Sequence, residues 1–191
     1  HVSHTSPVVA VRLPKSFALI IAMLATQFAE RALLCIDPQQ PADRIDQLLA
    51  NSGCEWVIDE RGLCPFVHSA YEEQFNVASK SWRLRADRGE SIPAYLFYTS
   101  GSTGTPKGVL GNREGLSHFI QWQRETFEID HTAAFAQLTA VSFDVVLRDV
   151  FTPLSAGATL VLPEASDLVM HHDILGWMKD HGITSFHSVP S

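Results

Sequence analysis

Short apolar runs alternate with stretches whose apolar positions recur every three or four residues, and that alternation sets the expected architecture. The run VVAVRL (residues 8–13) precedes a helical pattern from Ser16, ALLCID (residues 32–37) precedes one from Pro41, and EWVID (residues 55–59) and AYLFYT (residues 94–99) read as further strands. The helix from Pro41 carries Ile45, Leu48 and Leu49 on one face, with a proline at its start and Gly53 just past its end, the usual start and stop signals. Further on, Asn112 is placed to cap a helix whose Leu116, Phe119, Ile120 and Phe127 share a face. A strand at residues 134–138, a helix from Phe143, the strand ATLVLP, a helix from Ser166 to about His181 and a last strand complete the series. Strands separated by helices predict an α/β fold of mostly parallel sheets flanked by helices. There is no internal repeat and no low-complexity segment.

The most apolar segment, residues 17–25, falls well short of the roughly 20 residues needed to cross a bilayer, so it is expected as a core helix. With 46% hydrophobic and 18% charged residues, the 191-residue chain has the composition of one globular domain with a buried core. A formal charge of −7 without any Lys/Arg cluster argues against nucleic acid or an anionic membrane as partner, and any phosphate must be gripped locally. Cys35, Cys54 and Cys64 match no zinc spacing and are expected as reduced thiols of a cytoplasmic protein. The chain opens on His1 and stops on ITSFHSVPS, just after an expected strand, which reads as a piece of something longer.

The stretch YTSGSTGTPKGV concentrates candidate chemistry. A strand running into a glycine-rich turn presents successive backbone N–H groups to an anion, and hydroxyls add compact donors. Gly101, Gly104 and Gly108 allow the tight backbone, and Thr99, Ser100, Ser102, Thr103 and Thr105 supply hydroxyls beside Lys107. The expected ligand is a run of phosphates. The segment is not a Walker A loop, because Pro106 precedes Lys107 and Gly108 follows it.

This stretch resembles the phosphate-loop motif of the adenylate-forming, AMP-binding superfamily, which includes acyl-CoA synthetases, luciferases and the adenylation domains of nonribosomal peptide synthetases. ERALLCIDPQQPADRIDQLLANSG is similar to an adenylation-domain segment, with Cys35 where proline is common. LTAVSFDVVLRDVFTPLSAGATLVLP resembles the segment that opens the amino-acid pocket, and ITSFHSVPS the strand ending in Val-Pro-Ser. The resemblance covers nearly the whole chain in the family's order. It implies the amino-terminal portion of an adenylation domain: residues 1–191 would form part of the large N-terminal subdomain, without the C-terminal one.

In residues 143–157, Leu147, Val150, Phe151 and Leu154 form the expected buried face, and Asp144 and Arg148 lie one turn apart on another. From the residues alone, this is an aspartate at a helix start paired with an arginine, contributing ~0.3–0.5 kcal/mol. The resemblance instead implies that Asp144 accepts hydrogen bonds from a substrate α-ammonium group, with Val145 and Arg148 lining or approaching the side-chain pocket. Arg148 would pair with a substrate carboxylate or with Asp144. Pro153 implies a kink, or a helix ending at Thr152.

The activity so implied is two-step: an amino-acid carboxylate attacks the α-phosphorus of ATP, releasing pyrophosphate, and the aminoacyl adenylate is captured as a thioester by a carrier-protein phosphopantetheine. Thr99, Ser100, Gly101, Ser102, Thr103, Gly104 and Lys107 would hold the β- and γ-phosphates, helped by Mg2+. Partners would be the amino acid, carrier and condensation domains and an MbtH-like helper protein. The family's remaining catalytic groups would follow Ser191, which makes the segment alone inactive. The rival readings are an acyl- or aryl-acid CoA ligase of the same superfamily and a non-catalytic nucleotide-binding or docking fragment. His118 and His187 have no acid at a telling spacing and read as structural, adjacent His171 and His172 as surface residues, and Trp122 as packing. No Gly-x-Ser-x-Gly elbow supports a serine hydrolase.

Overall fold

A computed structural model describes residues 7–66, 91–99, 106–163 and 174–188. The chain divides into two compact units, residues 1–116 and 117–191.

The first unit holds a six-stranded sheet in the order β4-β3-β1-β2-β5-β6. Its centre is parallel: β1 (Val8–Val11) pairs with both β2 (Ala32–Cys35) and β3 (Trp56–Asp59), and β2 pairs with β5 (Pro93–Thr99). Every residue of β1 and β2 is buried, as expected where helices cover both faces of a parallel sheet. Helix α1 (Phe17–Phe28) starts where the Ser16 hydroxyl accepts the Leu19 N–H at 3.2 Å, and α2 (Ala42–Ser52) ends at Gly53, whose φ of 65° is the left-handed cap only glycine adopts cheaply. Ile45, Leu48 and Leu49 of α2 join Val8, Leu34, Ile36, Val57 and Leu96 in the core. Burial pushes the Cys35 thiol up to about 12 and that of Cys54 up to about 11, and none of the three cysteines forms a disulfide.

Two strands were not expected from the sequence. β4 (Gly62–Pro65) and β6 (Lys107–Asn112) both pair antiparallel at the sheet's edges, with β3 and β5 respectively. Neither has the apolar alternation of a strand, and the partner's ladder decides their conformation. Gly111 of β6 shows how closely β5 and β6 fit: a Cβ there would lie 1.9 Å from Tyr95 Cζ. Gly111→Ala is therefore expected to destabilise by about 1–3 kcal/mol, read as a lower denaturation midpoint at unchanged slope.

Helix α1 is a core helix on one side only. Leu19, Ile20 and Met23 are buried, whereas Phe17, Ile21 and Phe28 are 77%, 65% and 87% exposed. At the other end of the sheet, Asp59 bonds to Arg61 (2.7 Å) and Arg12 (2.8 Å). The Arg61 hydrogen bond first, against the opposing effect of burial, and then the Arg12 bond hold its carboxyl well below the usual range. A folded value below the unfolded one of about 3.9 means stability that is complete above that pH and lost as pH falls below it. Thermal melts at pH 7 and pH 3 should show a smaller pH difference for Asp59→Asn than for the natural residue; equal differences would contradict this assignment.

α3 (Arg113–Thr126) begins as expected, with Asn112 Oδ1 accepting the Gly115 N–H at 2.7 Å. Its aromatic face is not buried: Phe119 and Trp122, together with Phe127 just beyond the helix, remain in good part exposed, with ring centroids 5.8 and 5.9 Å apart. The buried residue is Gln123, whose Oε1 accepts the Thr152 hydroxyl at 2.7 Å.

The second unit carries a parallel three-stranded sheet in the order β8-β7-β9, from β7 (Ala134–Ala136), β8 (Thr159–Val161) and β9 (Ser185–Phe186). Helix α4 (Val145–Ser155) packs on β7 and β8, and α5 (Ile174–Asp180) buries Trp177 and Met178 against Ala136, Leu138, Val161 and Ile183. The expected alternation of parallel strands and helices is thus present in both units, with antiparallel edges added to the larger sheet. No helix among the described residues is long and apolar enough to cross a membrane.

Candidate functional site

The glycine-rich segment is anchored by a strand on each side. Thr99 closes β5, Lys107 opens β6, and the two face each other in the antiparallel register; the Thr99 hydroxyl reaches the Lys107 carbonyl at 3.5 Å. Ala94, Leu96 and Phe97 are buried, so β5 is a firm base for this edge. The Lys107 side chain is exposed and forms no ion pair among the described residues. Ser100, Gly101, Ser102, Thr103, Gly104 and Thr105 lie outside the described residues. The Tyr98 hydroxyl is buried with no hydrogen-bond partner among the described residues, and burial raises its phenol well above the usual value.

In the second unit, Asp144 stands at the start of α4, and its carboxylate forms no ion pair among the described residues. Asp144 is exposed, and its φ of −58° and ψ of −22° are already helical, so its side chain does not cap the helix. The Asp144–Arg148 pair that spacing alone suggests is not formed among the described residues, and Arg148 Nε is buried without a hydrogen-bond partner. Val145 is half-buried beside Asp144. Leu147 and Val150 are buried as expected and Phe151 and Leu154 partly so, but Val146, Asp149, Thr152 and Pro153 are buried too. The helix runs past Pro153 to Ser155 rather than ending at Thr152.

The wider buried face has a consequence that local spacing conceals. Asp149 is completely buried, with Oδ1 2.7 Å from His187 Nδ1 and Oδ2 accepting the Thr139 hydroxyl at 2.5 Å. Gln137, 1% exposed, donates from Nε2 to the Thr139 carbonyl at 2.8 Å, while its buried Oε1 has no hydrogen-bond partner among the described residues. His187 therefore does have a neighbouring acid, delivered by the fold from 38 residues away. Gln137 follows β7 and His187 follows β9, at the carboxyl ends of parallel strands, where open α/β sheets receive ligands. His118 is exposed on α3, and His171 and His172 lie outside the described residues.

Comparison with known proteins gives this arrangement its context. The chain is 34% identical over 191 residues to bacitracin synthase 3 of Bacillus licheniformis, spanning 96% of this chain and 3% of that protein. It is 34% identical over 197 residues to the phosphinothricin tripeptide synthetase PhsB of Streptomyces viridochromogenes, spanning 96% of this chain and 16% of that protein. Among solved structures, the nonribosomal peptide synthetase FmoA3 in its α-methyl-L-serine-AMP bound form superposes with a TM-score of 0.72 at 25% identity, over 98% of this chain and 21% of that one. The Klebsiella oxytoca NpsA N-terminal subdomain in complex with 3-hydroxybenzoyl-AMSN shares the fold, with a TM-score of 0.71 at 21% identity over 95% of this chain and 47% of that one. The family model described as AMP-binding enzyme matches residues 4–191, all but the first three positions, and the chain belongs to the AMP-binding enzyme family.

Proposed function

We propose that these 191 residues are the amino-terminal part of the large subdomain of an amino-acid-activating adenylation domain. The parent enzyme joins an α-amino acid to ATP as an aminoacyl adenylate, releases pyrophosphate, and passes the aminoacyl group to a carrier-protein phosphopantetheine as a thioester. The observation that carries this reading is Asp144: a carboxylate on α4 that neither caps the helix nor pairs with Arg148. A free anion at that position suits a substrate ammonium, which would be costly to desolvate without a charged partner. The names of the two relatives, a bacitracin synthase and a tripeptide synthetase, point the same way.

In this reading Thr99, Ser100, Gly101, Ser102, Thr103 and Gly104, with Lys107, hold the β- and γ-phosphates and then the departing pyrophosphate. Fixing the nucleotide in line with the attacking carboxylate and stabilising the developing charge account for most of the rate in chemistry of this kind. Val145 and Arg148 border the substrate side chain, and the Arg148 guanidinium would favour a carboxylate or another acceptor there. Mg2+ bound with ATP would help neutralise the phosphates that Lys107 and the hydroxyls hold. Carrier and condensation domains, and an MbtH-like helper, are the partners this reading brings.

The test is amino-acid-dependent ATP–pyrophosphate exchange by the full-length parent. Isolated residues 1–191, which span 47% of the NpsA N-terminal subdomain, are expected to show no exchange; robust exchange by the purified segment would contradict the assignment as a partial subdomain.

A further inference from the structure

The Asp149–Thr139–Gln137 cluster joins α4 to the segment after β7, and His187 links it to the end of β9. A buried carboxylate is expensive unless each oxygen is satisfied, and here Thr139 takes one oxygen and His187 the other. With Nδ1 donating to Asp149, the imidazole is fixed in tautomer and orientation, and Nε2 is left as the free nitrogen. Nε2 makes no hydrogen bond among the described residues. The His187 side chain is 22% exposed, unlike the carboxylate that holds it, and its ring centroid lies 6.2 Å from that of Phe135 on β7. Asp149 stands five residues after Asp144 on the same helix, about 7.5 Å further along its axis. The free imidazole nitrogen is thus tied, through Asp149, to the helix that carries the ammonium acceptor.

We propose that Asp149 is a positioning residue, holding His187 so that Nε2 makes a polar contact with the bound amino acid, while Asp149 itself touches no substrate. This rests on the amino-acid-activating reading given above. Because Asp149 acts only through His187, its removal should weaken amino-acid binding and leave the nucleotide alone.

The experiment uses the full-length parent and ATP–pyrophosphate exchange, with KM measured separately for the amino acid and for ATP, and with thermal unfolding of every variant. His187→Ala and Asp149→Asn are each expected to raise the amino-acid KM about tenfold, with the ATP KM within about twofold of the natural enzyme. The double variant should be no worse than His187→Ala alone, since the second change acts through a ring already removed. Should Asp149→Asn fail to fold, Thr139→Val asks the same question, raising the amino-acid KM in the natural background and not in His187→Ala. Additive effects, a parallel rise in both KM values with a lowered Tm, or an unchanged amino-acid KM in His187→Ala would overturn the inference while leaving the functional reading intact. Absence of exchange by the natural parent with every α-amino acid would overturn both.

Discussion

Asp144→Ala in the full-length parent should reduce α-amino-acid-dependent ATP–pyrophosphate exchange by about 10²–10³-fold, because under the proposed function it would leave the substrate ammonium desolvated without a charged partner. The structure sharpens this expectation. Had Asp144 capped α4 or paired with Arg148, its loss would cost about 0.5–1 kcal/mol of stability and little else. Neither contact is present, so Tm should hardly move while exchange collapses. Asp144→Asn keeps the shape and loses the charge, and should fall between the two. Near-normal exchange in Asp144→Ala would remove the ammonium assignment.

The second large effect is expected at the other end of the reaction. Lys107→Ala should lower exchange about 10–100-fold, chiefly through a higher KM for ATP, as befits the loss of one charge-assisted contact to a phosphate. Lys107 faces Thr99 across the β5–β6 register, and its exposed ammonium is not engaged by any described carboxylate, so no structural role competes with that explanation. Kinetics at varied ATP and saturating amino acid separate the outcomes. A changed amino-acid KM with an unchanged ATP KM would place Lys107 elsewhere in the mechanism.

What the sequence made legible was whatever is decided within a few residues. The buried runs of β1 and β2, the helix start at Ser16, the helix stop at Gly53 and the Asn112 cap are local chemistry, and each is found where the pattern put it. β4 and β6 were missed because their conformation comes from a neighbouring strand rather than from their own alternation. Apolar spacing identified Phe17 on α1 and Phe119 on α3 as apolar positions, but spacing carries no information on whether anything covers them. The same limit governs the site. Glycines and hydroxyls around Lys107 raise the expectation of a phosphate loop within one stretch, and that for Asp144 comes from its neighbours; residues 100–105 lie outside the described residues. The freedom of its carboxylate, by contrast, depends on where Arg148 goes, and the Asp149–His187 pair joins a helix to a strand end far along the chain.

ATP–pyrophosphate exchange by the full-length parent, with a panel of α-amino acids beside the same acids lacking the amino group, decides whether the enzyme activates amino acids. Exchange is expected with at least one amino acid and essentially none with its desamino counterpart. Exchange driven by fatty or aryl acids, with every α-amino acid inert, would contradict it.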